Sequence, residues 1–201
     1  MENSETLLPT QQNFIDRFTM LLNNNHPGWI QKNMDLDFTI IDIGFGAGDE
    51  FRPLKQLFPK ASFLAIDKDD FAVETAEFLK KIHNLKLRTI RGDAGDSKSY
   101  LDLENQPVRA KLIIIRNPSI FSSEKGSNWY NALEQAKNHL GPDGLIYITT
   151  EKLHELHDLH TTLKSLGLKI EVAEDRTQFS QKEMSSVFPE DFIMIATKKQ
   201  K

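Results

Sequence analysis

The chain contains no cysteine, and this absence excludes several kinds of chemistry. Without a thiol among its 201 residues, the protein has no disulfide bond, no cysteine nucleophile and no thiolate metal ligand. Long hydrophobic runs are also absent, since no apolar stretch approaches the roughly 20 residues that cross a membrane. The opening segment MENSETLLPTQQ lacks the basic and apolar regions of a secretion signal. We therefore expect a cytoplasmic protein with no membrane partner.

Positive charge is in short supply as well. The chain has 25 Lys and Arg residues against 29 Asp and Glu residues, for a formal net charge of -4. Proteins that hold nucleic acid through its phosphates depend on an excess of positive charge. The composition therefore predicts no general nucleic-acid partner, although a local basic patch stays compatible with it.

What the sequence does contain is an alternation of short apolar runs and helix-patterned segments. One such segment places Phe71, Thr75, Ala76 and Leu79 on a shared helical face. Strands bounded by helices of this length imply right-handed crossovers, so we predict an α/β fold with a doubly wound, mostly parallel seven-stranded sheet and helices on both faces. The predicted strands are Phe38–Ile43, Ser62–Ile66, Lys86–Ile90, Lys111–Ile115, Leu145–Thr149, Leu168–Ala173 and Asp191–Ala196.

The two ends of the chain are expected to depart from this alternation. An amphipathic helix is predicted from Thr10 to Asn24, with Thr10 as its cap. We accordingly divide the chain into an N-terminal helical extension, residues 1–34, and a sheet domain, residues 35–201. The segment before the last predicted strand lacks a helical stripe, so we predict that the last strand runs antiparallel to its neighbour.

Glycine is scarce, with 10 residues in the chain, yet three occupy alternate positions in IIDIGFGAGDE, Ile40 to Glu50. In a doubly wound sheet, ligands bind beyond the carboxyl ends of the strands, and this stretch lies at such an end. Glycine permits positive φ and a close approach of another molecule to the backbone. The turn is therefore predicted to bind a ligand. It does not match the dinucleotide pattern G-x-G-x-x-G, because Asp49 stands where the third glycine belongs.

Asp42, Gly44, Gly46 and Gly48 resemble the first motif of the class I S-adenosylmethionine-dependent methyltransferases, D/E-x-G-x-G-x-G. The resemblance extends to the next two strand ends, FLAIDKDD and TIRGDAGD. It implies that S-adenosyl-L-methionine is the cofactor, that one strand-end aspartate binds the ribose hydroxyls and that the next contacts the adenine amino group. The implied cofactor-binding residues are Asp42, Gly44, Phe45, Gly46, Gly48, Asp67 (ribose), Lys68, Asp93 (adenine) and Ala94. We expect the entry helix, Thr10–Asn24, and the segment Asn23–Asp35 to close over this cofactor.

The fourth predicted strand runs into KLIIIRNPSIF, where the family places residues that face the transferred methyl group. Arg116 is a candidate catalytic residue because a cation at this tip suits an anionic substrate group, although it could equally pair with a surface carboxylate. Asn117 and Pro118 resemble the N/D/S-P-P-Y/F/W motif of nitrogen methyltransferases, but Ser119 replaces the second proline and Phe121 comes one position late. Asn117 could also simply end the strand in a turn. The acceptor, small molecule or macromolecule, stays open.

Three other interpretations compete with this one. A protein that binds S-adenosylmethionine without transferring its methyl group would share the same motifs. IGFGAG followed by LFP resembles the transfer-RNA guanine-N7 methyltransferases, but their basic, proline-rich stretch is missing and the net charge is acidic. An NAD(P)-binding oxidoreductase of the short type should carry Tyr-x-x-x-Lys, and none of the three tyrosines is followed by such a lysine.

No metal site is expected. His154, His157 and His160 follow one another at steps of three in HELHDLH. Successive steps of three drift around a helix axis, whereas metal-binding helices return their ligands to one face.

Overall fold

A computed structural model of the chain describes residues 6–116, 118, 126–175 and 192–199. Within these residues, secondary structure alternates along the chain much as predicted. The helices are α1 (Pro9–Asn25), α2 (Trp29–Asn33), α3 (Phe51–Leu57), α4 (Asp70–Ile82), α5 (Gly126–His139) and α6 (Leu153–Ser165), with a 3₁₀ turn at Ser97–Tyr100. The strands are β1 (Thr39–Ile43), β2 (Ser62–Asp67), β3 (Leu87–Arg91), β4 (Ala110–Arg116), β5 (Leu140–Thr150), β6 (Leu168–Asp175) and β7 (Phe192–Lys198).

The strands form one sheet in the order β3-β2-β1-β4-β5-β7-β6. The first five are parallel to one another, and β7 lies between β5 and β6, antiparallel to both. The predicted doubly wound sheet with an antiparallel last strand is thus confirmed. The largest difference is β5, which begins at Leu140 instead of Leu145, because the turn-like residues Gly141–Gly144 are accommodated by a register shift against β4.

Both faces of the sheet are covered, which explains why the strands read as continuous apolar runs. Successive strand residues point to opposite faces, so Ile40 belongs to a core under α1, α3 and α4, and Ile41 to a core under α5 and α6. Tyr147 of β5 meets the rings of Phe14 and Phe18 on α1, with centroid distances of 6.2 and 5.3 Å. None of the helices in the described part of the chain is long and apolar enough to cross a membrane.

Two details of the helices differ from the prediction. Helix α1 begins at Pro9 and is capped by the Gln11 side chain, which accepts a hydrogen bond from the Leu8 amide at 3.2 Å, so Thr10 is not the cap. On α4 the buried residues are Ala72 and Ala76, whereas Phe71 is 73% exposed. The predicted apolar face was wrong at Phe71 because the helix buries its small residues against the sheet.

Candidate functional site

A cavity of about 260 Å³ opens at the carboxyl ends of β1, β2 and β3. Because these strands are parallel and adjacent, the turns that follow them meet at one edge of the sheet. We call this the tip cavity. Its lining includes Gly44 after β1, Asp67 and Lys68 after β2, Asp93 and Ala94 after β3, and Trp129 of α5. The sequence-predicted residues of three separate turns are therefore brought together.

The backbone conformation of the glycine turn explains why it contains three glycines. Gly44, Gly46 and Gly48 have φ values of +67°, +54° and +68°, a region that residues with a Cβ rarely adopt. A Cβ on Gly48 would lie 2.6 Å from the Phe51 ring, so this glycine is also required by packing. A Cβ on Gly46 would meet no described atom within 4 Å. The middle of the turn thus presents bare, accessible backbone.

Asp67 connects this turn to the tip of β2. Its Oδ2 accepts a hydrogen bond from the Gly46 amide and its Oδ1 accepts one from the Asp69 amide, each at 3.0 Å. An ionised carboxylate has about four acceptor positions, so these two bonds leave capacity for a ligand. The side chain is held in place by backbone while it lines the cavity.

Asp93 is held in a similar way at the tip of β3. The Gly95 amide donates to Oδ1 at 2.8 Å, and the Lys68 ammonium lies 2.9 Å from Oδ2. Burial alone would raise the pKa of Asp93, but the amide and the ammonium together outweigh it and lower the pKa below its ordinary value. Asp93 is therefore an ionised acceptor at neutral pH.

The turn that carries Asp93 and Ala94 is held by hydrogen bonds from Ser99 and Tyr100, two residues that the sequence analysis did not predict. The Ser99 hydroxyl donates to the Asp93 carbonyl at 2.8 Å, and the Tyr100 hydroxyl donates to the Ala94 carbonyl at 2.7 Å. Tyr100 is fully buried and stacks on His139 with a centroid distance of 4.5 Å. Burial, with the nearby Asp93 charge, raises the pKa of the Tyr100 hydroxyl, so it keeps its proton and its hydrogen bond.

A buried charge network lies beneath the glycine turn. Asp42 at the end of β1 and Glu50 before α3 are both 0% exposed. Arg116 at the end of β4 places Nη1 2.9 Å from Oε2 of Glu50, with only 15% of its side chain exposed. This ion pair joins the tip of β4 to the start of the helix that follows the glycine turn. The predicted pairing of Arg116 with a surface carboxylate is wrong about the place, because its carboxylate partner Glu50 is buried.

Asp42 completes the network as a buried carboxyl group. Neither of its oxygens accepts a hydrogen bond from an N–H or O–H group of the described residues. Burial and then repulsion from Glu50 raise the pKa of Asp42 well above its ordinary value. A proton held on Asp42 can hydrogen-bond to Glu50. The Glu50 partner was not foreseen, because only the fold brings it to Asp42.

Trp129 of α5 closes one side of the tip cavity. Its Cη2 lies 3.4 Å from the position that a Cβ on Gly44 would occupy. The indole therefore lies directly against the first glycine of the turn.

Comparison with known proteins then places the chain in a family. The family model of the methyltransferase small domain matches residues 15–180. The chain belongs to the methyltransferase small domain family. The match spans β1 to β6 and every described residue of the tip cavity, and it confirms the predicted class I methyltransferase and the prediction of an enzyme. No curated protein matches the chain.

Solved structures support the same fold. The methyltransferase resembles precorrin-6y C5,15-methyltransferase from Geobacter metallireducens at 17% identity and a TM-score of 0.60, over 85% of this chain and 84% of that one. It resembles an S-adenosylmethionine-dependent methyltransferase from Clostridium acetobutylicum at 14% identity and a TM-score of 0.61, over 94% and 100%. An rRNA methylase from Streptococcus thermophilus aligns at 13% identity and a TM-score of 0.60, over 85% and 92%. At these identities the likeness concerns the fold.

The remaining sequence predictions fall elsewhere in the methyltransferase. Asn117, Ser119 and Phe121 lie outside the described residues, so the role of Asn117 stays a prediction. The expectation that Asn23–Asp35 closes over the cofactor is wrong, because Trp29 bonds to the Asp143 carbonyl at 3.1 Å, near the opposite end of β5. Among the described residues, no group of three His, Asp or Glu side chains is placed to hold a metal ion.

Proposed function

We propose that the methyltransferase binds S-adenosyl-L-methionine in the tip cavity and transfers its methyl group by in-line displacement to an acceptor. The observation that carries this proposal is the convergence of three turns on one cavity. Bare backbone at Gly46, a fixed carboxylate at Asp67 and an ionised acceptor at Asp93 stand around the same space.

The residues present fit the cofactor by their chemistry. Asp67 would accept hydrogen bonds from the ribose hydroxyls with the acceptor positions that Gly46 and Asp69 leave unused. Asp93 would accept the adenine amino group, next to the clamped Ala94. The amino-acid part of the cofactor would lie along the Gly44–Gly48 turn, and Trp129 would cover it. Carboxylates at two of these places also suit a cofactor that carries a sulfonium cation.

S-adenosylmethionine, when bound, supplies a methyl group that is already activated, because its leaving group departs neutral. The protein's contribution is therefore mainly to hold the reactants in place. Correct positioning lowers the barrier of intramolecular reactions by up to about 7–11 kcal/mol in the best cases. We assign Arg116 to this task as a positioning residue, because its pair with Glu50 fixes the tip of β4 against the glycine turn. Asn117, the next residue, is our candidate for contact with the acceptor.

Calorimetric titration with S-adenosylmethionine and S-adenosylhomocysteine tests the cofactor assignment. Incubation with cofactor carrying a labelled methyl group and fractionated cell extract then tests transfer. Binding together with a labelled acceptor is the expected result. Binding without any labelled acceptor would favour a protein that holds the cofactor without using it. No binding of either compound would overturn the proposal.

A further inference from the structure

A second and larger cavity, of about 770 Å³, lies at the opposite ends of the strands from the tip cavity. We call it the basal cavity; its lining includes His26, Trp29, Pro142, Lys169, Glu171 and Lys198. It is bounded by the start of β5, the start of β6 and the end of β7. Seven residues of β4 span roughly 20 Å at the usual rise per residue. A ligand here would therefore be separate from one in the tip cavity.

Several cations around the basal cavity are bound to uncharged groups. Lys198 of the lining donates to the Leu140 carbonyl, and Lys111 donates at 2.9 Å to the carbonyl of the lining residue Pro142. Arg109, outside the lining but near Lys198, donates to the Asn138 carbonyl. Within the described residues, no carboxylate lies within 4 Å of these three cations. Their charges are thus not neutralised by an acid. The pKa of Lys198 is lowered by burial and then by the nearby positive charges of Arg109 and Lys137.

The acids at the cavity already have partners. Glu171 lies 3.0 Å from the Lys169 ammonium and accepts a hydrogen bond from Thr197 at 3.0 Å. Asp143 faces Lys32 at 3.9 Å. Each acid therefore cancels the charge of one lysine, and the cations at Lys111, Lys198 and Arg109 stay in excess. Although the chain as a whole is acidic, this end of the sheet is locally basic.

His26 also lines the basal cavity. Its Nε2 is shielded from solvent and has no hydrogen-bond partner among the described residues. Burial, opposed by the nearby Glu171, lowers the pKa of His26, so its ring is neutral and can donate or accept. Buried polar atoms normally have partners. His26 therefore adds a neutral polar ring to the lining of the basal cavity, although its shielded Nε2 does not face a ligand in this conformation.

We propose that the basal cavity binds a phosphate-bearing ligand. A phosphate group offers several strong acceptor oxygens, which match the ammonium groups of Lys198 and Lys199 in the lining and of Lys111, which is bonded to the lining residue Pro142. Ammonium is a common phosphate partner in proteins. The cavity volume lies within the 300–1,000 Å³ range that is typical of small-molecule sites. The same phosphate chemistry could come from a small phosphate compound or from the backbone of RNA. The proposal does not depend on methyl transfer, because it concerns the other end of the sheet.

The fluorescence of Trp29 provides the test. In a Trp129→Phe background, Trp29 is the only tryptophan, since the chain has two. With S-adenosylhomocysteine present to block the tip cavity, the protein is titrated with pyrophosphate and, separately, with a short single-stranded RNA. The double change Lys111→Gln and Lys198→Gln is compared with Lys81→Gln, an exposed lysine of α4 at the far edge of the sheet. Thermal melting confirms that each variant is folded.

We expect at least one probe to bind, about tenfold weaker binding in the double variant and less than about twofold change in the control. Tight binding of pyrophosphate would identify a small-molecule source, whereas binding of RNA alone, with a steep dependence on salt, would identify the RNA backbone. If the double variant does not fold, Lys199→Gln in the cavity lining should weaken binding and reduce the salt dependence. Failure of both probes to bind, or equal binding by the double variant and the control, would overturn the proposal.

Discussion

Replacement of Asp67 by alanine is expected to weaken the binding of S-adenosylmethionine sharply. The side chain is fixed by the amides of Gly46 and Asp69, each at 3.0 Å, so it is already oriented before a ligand arrives. Truncation removes a charged acceptor from the ribose hydroxyls and also releases the middle of the glycine turn. Both effects act on the same cavity, and neither requires a change in the core.

The size of the effect follows from the kind of bond that is lost. A hydrogen bond to a charged group contributes about 1.5–3 kcal/mol. If the alanine variant loses the equivalent of one such bond, its dissociation constant rises by about 10- to 150-fold. Asp67→Asn keeps one carbonyl acceptor but loses the charge, so we expect an intermediate value. The cofactor's carboxylate and ammonium groups bind elsewhere and should keep some residual affinity.

Isothermal titration calorimetry with S-adenosylhomocysteine measures the change directly. The matched control is Asp70→Asn, which also removes one carboxylate nearby. Asp70 is outside the cavity lining, and its side chain is 63% exposed and pairs with Arg91 at 2.7 Å. Surface pairs of this kind contribute little, so the control should bind within about twofold of the wild type. A folded alanine variant that binds the cofactor as tightly as the wild type would refute the assignment of Asp67.

Three further predictions concern the glycine turn and its surroundings. Gly48→Ala should destabilise the fold more than Gly46→Ala in urea unfolding, because both incur about 1–2 kcal/mol of left-handed strain but only Gly48 adds a clash with Phe51, about 1–3 kcal/mol more; equal losses would contradict the packing argument. The raised pKa of Asp42 means that its contribution to stability is complete below the ordinary carboxyl pKa and is lost as pH rises through the folded-state pKa. Asp42→Asn should therefore gain stability relative to the wild type as pH increases, and a difference that is constant with pH would argue against a buried proton. Binding of S-adenosylhomocysteine should change the fluorescence of the wild type but not of Trp129→Phe, since Trp29 lies at the far end of β5; an unchanged response in the variant would place the ligand elsewhere.

The parts of the fold that could be predicted from the sequence depend on local pattern. Apolar runs and helical stripes recur along the chain, so the alternation of strands and helices, the mostly parallel sheet and the antiparallel last strand could be predicted from short-range periodicity and connection lengths. The tip cavity was also predictable, because parallel strands bring their following turns to one edge whatever their sequence separation. The convergence of Gly44, Asp67 and Asp93 followed from that rule and their positions at strand ends, whereas their roles toward a cofactor were implied by the family resemblance.

What could not be predicted depends on contacts between distant elements. Glu50 follows a glycine-rich turn and looks like any acidic residue near a helix start, and only the packing of β4 brings Arg116 beside it. Trp129 has the spacing of a core residue on α5, but the helix places its ring against Gly44. A hydrophobic pattern places Phe71 on the buried face of α4, but the helix packs against the sheet through the smaller residues Ala72 and Ala76.

The local charge of the basal cavity also could not be predicted from the sequence. Its lining contains Lys169 from the start of β6 together with Lys198 and Lys199 from the short basic tail of the chain, two segments that are separate in the sequence. The antiparallel insertion of β7 between β5 and β6 brings them to one end of the sheet. A net charge of -4 therefore described the whole chain correctly but concealed a local excess of the opposite sign.

The central claim is that the three turns at the carboxyl ends of β1, β2 and β3 form the cofactor site. A crystal structure of the protein with S-adenosylhomocysteine measures this most directly. The account predicts that the ribose lies within hydrogen-bond distance of Asp67, the adenine beside Asp93 and the amino-acid part along Gly44–Gly48. A ligand bound at any other place, or a tip cavity without ligand density in crystals grown at a saturating concentration, would contradict it.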